Sequence, residues 1–327
     1  MSLIKVGVLR GGPSSEHEIS LKTGKSVLLN LPEKYSGRDV FINKEGNWHL
    51  DRRPSDPEGV FRSVDVIFNA LHGQYGEDGK VQQLLEHFSI PYTGSGVIAS
   101  ALGMNKVLAR EEFKKAGLKV PKATLVNTDE GSLKEAERVF RTISPPWVIK
   151  PISGGSSVGV SVARSLPDLI GALDAAFGLG QKVLVEEYIA GKEATCGIID
   201  DFREEKHYAL PVIEIIPPSR FEFFNYDAKY GGETKEICPA NFSLSVKKEI
   251  ENMARRAHDA LGCRHYSRSD FIVAPPRKRN EPPQIYILEI NTLPGLTEES
   301  LMPKALNAVG ASYGEFLDHL IKLALKR

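Results

Sequence analysis

The chain has 327 residues, 41% hydrophobic and 26% charged, a length that suggests about two domains with room for three small ones. Lys plus Arg and Asp plus Glu stand at 42 each, so no global field favours nucleic acid or an anionic membrane, and any anionic ligand must be held by local charges. No apolar run approaches the roughly 18 residues needed to span a bilayer, and "MSLIKVGVLRGG" lacks signal-peptide architecture, which predicts a cytoplasmic protein.

The first hundred residues alternate between strand and helix patterns. "IKVGVL", "SVDVIFNAL" and "SIPYTG" read as strands, and Glu18 to Leu31 and Lys80 to His87 carry helix-spaced apolar positions, an α/β layout. A helix is expected from Asn105, a good N-cap, through "KVLAREEFKKAG", with Gly117 as its stop. From Pro121 a small α+β unit follows, with strands at "WVIKP", "SSVGVSVA" and "KVLVEEYI" and helices near Leu133 to Arg141 and Leu166 to Phe177. A larger α+β region then has strands at "ATCGII", "HYALPVIEII", "SDFIVA" and "QIYILEI" and helices around Val246 to Leu261 and Tyr313 to Leu325. "PPRKRNEPP" reads as a solvated turn. Cys196, Cys238 and Cys263 are odd in number and lack metal spacing, so free thiols are expected.

Three stretches invite a phosphate-loop reading. "TGKS" at Thr23 to Ser26 ends like a Walker A loop, but the earlier glycine would fall at Ile19, and the reading fails. "GSGVIA" at Gly94 to Ala99 fits the GxGxxA fingerprint without the βαβ frame it needs. "KPISGGSSVGV", from Lys150, puts an ammonium at a strand end before a Gly/Ser-rich tip, an arrangement that could cover a triphosphate; a plain surface hairpin is the alternative. "KVLVEEYIAGKE" adds a strand running into a linker suited to adenine, with Glu193 for ribose. Finally, alternation puts Arg268 and Asp270 of "RSDF" on one strand face and Glu289 and Asn291 of "YILEINTLPGLTEES" on another. If those strands are neighbours, three oxygen ligands and a guanidinium meet, a donor set that suits Mg²⁺.

The ordered set "GGPSSEHEIS", "ALHGQYGEDGKVQ", "YTGSGVIASALGMNK", "IKPISGGSSVGVS", "FNYDAKY", "SRSDF" and "LEINTLPGLTEESLMP" resembles the D-alanine:D-alanine ligase family of ATP-grasp enzymes over essentially the whole chain. The resemblance implies an N-terminal Rossmann-like α/β domain (1–102), a small central α+β domain (103–187) and a C-terminal α+β catalytic domain (188–327). It implies ATP, two Mg²⁺ ions (with Mn²⁺ as a substitute), two D-alanines as substrates, no nucleic-acid or membrane partner, and a homodimer.

Carried over residue by residue, the resemblance assigns phosphate contacts to Lys106 and Lys150, closed over by Ser156 and Ser157. It assigns adenine and ribose to Glu186, Glu187, Ile189 and Glu193, and metal ligation to Asp270, Glu289 and Asn291. Glu16 would pair with the ammonium of the first D-alanine, with His72 nearby. Arg268 and the Gly295 N–H would hold the oxyanion, and Ser300 and Leu301 the second substrate's carboxylate. Lys229 and Tyr230 would sit on a closing loop, Tyr230 linked to Ser156 and Glu16. Two departures from the family pattern are Ser267, where Gly is common, and Ser269, where an aliphatic is frequent. The runner-up reading is a ligase that takes D-lactate or D-serine second, and a nucleotide-binding regulator without chemistry is a third.

Overall fold

A computed structural model describes residues 3–127, 129–153, 159–178, 182–218, 234–276, 278–279 and 281–326. The first segment contains β1 (Ile4–Gly11), α1 (His17–Asn30), β2 (Tyr35–Ile42), β3 (Trp48–Leu50), β4 (Arg53–Ser55), α2 (Pro57–Phe61), β5 (Val66–Asn69), α3 (Lys80–His87) and α4 (Val97–Met104). β1 lies between β2 and β5 and is parallel to both, in the order β4-β3-β2-β1-β5. "SIPYTG" does not extend this sheet as a strand. Pro91 has no N–H to give a ladder, and Tyr92 makes only an isolated bridge to Ile67.

The middle segment contains α5 (Lys106–Lys115), β6 (Ala123–Val126), α6 (Ser132–Thr142), β7 (Trp147–Pro151), β8 (Ser161–Ala163), α7 (Leu166–Gly178) and β9 (Val183–Glu187). Its four strands form an antiparallel sheet in the order β6-β9-β7-β8. Asn105 caps α5 as expected, its Oδ1 accepting from Val107 N and Leu108 N at 3.1 Å each, and Gly117 adopts the positive φ of a helix stop.

The last segment contains β10 (Lys192–Phe202), β11 (Glu205–Ala209), β12 (Ile213–Ile216), β13 (Lys235–Ile237), α8 (Leu244–Ala260), β14 (Tyr266–Ala274), β15 (Gln284–Asn291), α9 (Leu301–Ala308) and α10 (Tyr313–Leu325). The sheet runs β13-β12-β10-β14-β15, with β11 paired to β10. "HYALPVIEII" is therefore two strands rather than one. The run breaks between Ala209 and Ile213, around Pro211, and both halves pair antiparallel with β10.

The cores cross these segments. Val6, Val8, Val66 and Phe68 of the first sheet share a core with Phe316, Leu317, Leu320 and Ile321 of α10. Ala109 and Phe113 of α5 pack with Ile250 and Met253 of α8 and with Phe271 and Ile287 of the last sheet. Residues before and after the site are thus held in common cores. All three cysteines are free, with Cys196 and Cys263 buried, and burial pushes the Cys263 thiol up to about 12.

Replacing Asn105 with Ala removes both cap bonds of α5 and is expected to cost about 1 kcal/mol of stability. A urea midpoint lowered in Asn105→Ala and kept in Asn105→Asp is the expected result.

Candidate functional site

β14 and β15 are neighbours, and their register sets Arg268 opposite Asn291 and Asp270 opposite Glu289. The pairing then shifts, so that Phe271 meets Ile287 and Leu288 is left over. In a strand of strict period two, Ile287 would share the face of Glu289. The extra residue lets Ile285, Ile287 and Ile290 all enter the core, while Glu289 and Asn291 keep the opposite face. The oxygen set therefore converges without exposing an apolar strand.

Arg268 Nε and Nη2 each donate to Asp270 at 3.2 Å. Burial opposes the guanidinium charge, but Asp270, with Glu289 and Glu77 farther off, raises its pKa above the ordinary arginine value. Thr195 of β10 donates its hydroxyl to Asp270 Oδ1 at 2.6 Å. Asn291 Oδ1 accepts from Leu293 N at 2.8 Å, which fixes the amide at the start of the following loop. Glu193 is half-buried on the same face of β10 as Thr195.

The facing wall comes from α5, β7 and β9. Glu186 is 2% exposed and is shared by two cations: Arg110 Nη1 lies 2.8 Å from Oε1 and Lys150 Nζ 2.8 Å from Oε2. Burial works against the Lys150 charge, but Glu186, then Glu289, holds its pKa above the usual lysine value, so it stays an ammonium. Lys106 Nζ reaches to 3.8 Å from Glu289 Oε2. One carboxylate serves two cations here, which leaves the wall attractive to phosphate. Glu187 points elsewhere, accepting from Lys122 N at 2.7 Å, and Ile189 is half-buried just after β9.

Glu16 precedes α1, and a Cβ placed on Gly73 would meet its Oε2 at 2.8 Å, so the "SSEHE" and "LHG" segments touch. His72 is buried, with Nε2 2.8 Å from Thr23 Oγ1 and Nδ1 3.4 Å from Glu77 Oε1. At the far end, Ser300 stands at the N-cap position of α9 without a side-chain cap bond, and its Oγ accepts from Thr297 N at 3.1 Å. A Cβ on Gly295 would lie 3.0 Å from Ser300 Oγ, so these two expected substrate contacts are neighbours. Leu301 follows as the buried first residue of α9. Ser156, Ser157, Lys229 and Tyr230 lie outside the described residues.

Sequence reasoning missed Thr195, Arg110 and Glu77. Arg110 was within reach, since it stands one helical turn after Lys106 and shares its face. Gly94 of "GSGVIA" has a non-nucleotide use: its N donates to His265 Nδ1 at 3.1 Å and its O accepts from Arg264 Nε at 2.9 Å, joining the first segment to the residues that lead into β14.

Residues 112–322 match the family model described as D-ala D-ala ligase C-terminus, and residues 5–61 and 51–95 match the D-ala D-ala ligase N-terminus. The D-alanine–D-alanine ligase of Syntrophobacter fumaroxidans is 40% identical over 324 residues, covering 99% of this chain and 98% of that protein. That of Halalkalibacterium halodurans is 39% identical over 326 residues, covering 99% and 100%. Among solved structures, the D-alanine–D-alanine ligase from Bacillus anthracis complexed with ATP superposes with a TM-score of 0.80 at 31% identity, covering 99% of this chain and 98% of that one. The VanG D-Ala:D-Ser ligase from Enterococcus faecalis gives 0.84 at 28% identity, covering 99% and 100%.

Glu186→Gln strands Arg110 and Lys150 as buried cations and is expected to cost about 3 to 5 kcal/mol, read as a lowered urea midpoint. Because the pair raises the Lys150 pKa, its contribution in the parent is whole below about pH 10 and fades as pH rises through the raised value. In the variant the unpaired Lys150 sheds its proton more readily, so the gap between parent and variant should begin to narrow below that window and close further through it.

Proposed function

The chain belongs to the D-alanine–D-alanine ligase family, and we propose that it joins two D-alanines at the expense of ATP, giving D-alanyl-D-alanine, ADP and phosphate for peptidoglycan precursors. The observation that carries this reading is the β14–β15 register, which brings Asp270, Glu289 and Asn291 together beside Arg268 and opposite the Lys106 and Lys150 wall.

In the first step a carboxylate oxygen of the first D-alanine attacks the γ-phosphorus of ATP, the bond to the β-phosphate oxygen breaks, and ADP leaves. In the second, the free amine of the other D-alanine attacks the acyl-phosphate carbon. The tetrahedral adduct then collapses, phosphate departs and the amine loses a proton. Lys150 and Lys106 hold the phosphates as point charges from a strand end and a helix start. Glu193, Ile189 and the Glu186–Glu187 strand frame the nucleoside. Glu16 takes the ammonium of the first D-alanine, with His72 behind it. Arg268 and the Gly295 N–H receive the oxyanion of the adduct, and Ser300 with the N-terminus of α9 receives the second carboxylate.

The all-oxygen donors Asp270, Glu289 and Asn291 fit Mg²⁺, or Mn²⁺ in its place. Such ions, when bound with ATP, neutralise charge on the transferring phosphoryl group. The lid roles of Ser156, Ser157, Lys229 and Tyr230 rest on family resemblance alone. So does a homodimer, which sedimentation equilibrium would test. No helix among the described residues is long and apolar enough to cross a membrane.

Mass spectrometry of products from ATP, Mg²⁺ and a mixture of D-alanine, D-serine and D-lactate should show D-alanyl-D-alanine as the main product. A dominant mixed dipeptide or depsipeptide would replace this reading with the runner-up, and ATP turnover without any condensed product would remove the ligase reading.

Two variants probe the assignment of roles. Lys150→Met leaves Glu186 paired with Arg110, so the fold should survive while KM for ATP rises and kcat falls about a hundredfold. Glu16→Gln keeps the side-chain shape and removes its charge, so the rise in KM should fall on the first D-alanine and spare ATP.

A further inference from the structure

Away from the ligase face, the far end of β10 carries a second cluster of ligating groups. Asp200 of β10, His207 of β11 and His258 of α8 each bring one ligand atom within 4.8 Å of the others. His207 Nδ1 lies 2.8 Å and His258 Nε2 3.1 Å from the same oxygen, Asp200 Oδ1. Two ligands held 2.0 to 2.1 Å from a tetrahedral ion sit about 3.3 Å apart, so these spacings are close to those of a formed site. We propose that Asp200, His207 and His258 bind one Zn²⁺ ion, with water in the fourth position.

The outer contacts hold two of the three ligands. The second nitrogen of His258, Nδ1, is hydrogen-bonded to Ser267 Oγ at 2.7 Å, whereas that of His207, Nε2, lies 3.0 Å from Asp259 Oδ1 without the alignment of a hydrogen bond. Asp200 Oδ2 accepts from His265 N at 2.6 Å, which leaves Oδ1 facing the two imidazoles. Partners of this kind orient ligating histidines and carboxylates.

A simple ion pair accounts for His207, whose Nδ1 is hydrogen-bonded to Asp200 Oδ1 at 2.8 Å, but less well for His258. His258 is fully buried, and its Nε2 approaches Asp200 without the alignment of a hydrogen bond. In the tautomer in which His258 Nδ1 donates to Ser267 Oγ, Nε2 offers its lone pair on the Asp200 side, where a cation can be held between the two groups.

The donor set also separates this ion from the one implied at the ligase face. Two imidazoles and one carboxylate are a set that zinc takes and that suits transition metals generally, whereas Asp270, Glu289 and Asn291 offer only oxygen and favour magnesium. The ion would tie β10, β11 and α8 together near the point where His265 meets Gly94.

The test uses the full chain, stripped with a chelator, dialysed against zinc without nucleotide or magnesium, and assayed for bound metal by plasma mass spectrometry. About one zinc per chain is expected on the parent and on Asp270→Asn, with a raised melting temperature in both. His207→Gln should lose the metal and the thermal shift while retaining the parental far-ultraviolet circular dichroism; its affinity should drop more than the about tenfold seen for outer partners alone. Since His258 is buried and its variant could unfold, Co²⁺ on the parent provides a second reading: visible absorption of a four-coordinate nitrogen-ligated ion, absent in His207→Gln. Zinc absent from the parent, zinc held equally by His207→Gln, or zinc lost only in Asp270→Asn would each overturn the proposal.

Discussion

The pairing of β14 with β15 across the Leu288 bulge is the constraint on which the rest of the site depends. It reconciles two demands on one strand: Ile285, Ile287 and Ile290 must fill a core, and Glu289 and Asn291 must face a cleft. A regular strand would satisfy one and defeat the other, because a shift of one residue moves every side chain to the opposite face. The bulge resolves the conflict between Ile287 and Glu289, at the place where the chain passes from structure to chemistry.

The opposing wall solves a related problem with charge. A buried lysine beside no acid would lose its proton, and a buried glutamate beside no base would gain one. Glu186 sits between Arg110 and Lys150, so all three can stay ionised in a dry setting. The cost is that Lys150 arrives already paired. The two cations still leave a surplus of positive charge over the one carboxylate. That arrangement positions Lys150 on β7 with little side-chain freedom left to lose, which favours binding by pre-organisation.

Much of this was legible in the sequence, and the failures have physical causes. α3 and α10 have the bounds read from periodicity, and the shared face of Arg268 and Asp270 followed from alternation alone. β2 to β4 escaped because "YSGRDVFI" has little strand character of its own; it is held by pairing with β1 and β3. Pro211 divided a run that looked continuous. In the site, Glu186 and Glu187 are indistinguishable as letters, yet adjacent strand positions point to opposite faces, so one is buried between cations and the other meets a backbone amide. Thr195, Glu77 and the Asp200 cluster could not be found by spacing, since each meets its partners only through the fold.

Two separate uses of β10 and β14 then emerge. Toward Thr195 and Asp270 their shared face carries oxygen donors, the kind that suit hard cations. Toward Asp200 and Ser267 the same strands border imidazoles, whose nitrogen donors hold softer ions more firmly. Because Thr195 and Asp200 lie on one strand, stiffening at the histidine end constrains the position of Thr195 and, through its 2.6 Å hydrogen bond, of Asp270. His265 adds Gly94 to the same rigid body. The first segment, with Glu16 and His72, is thereby registered against the strand that carries Arg268, and the two ends of the cleft are set by one piece of packed backbone.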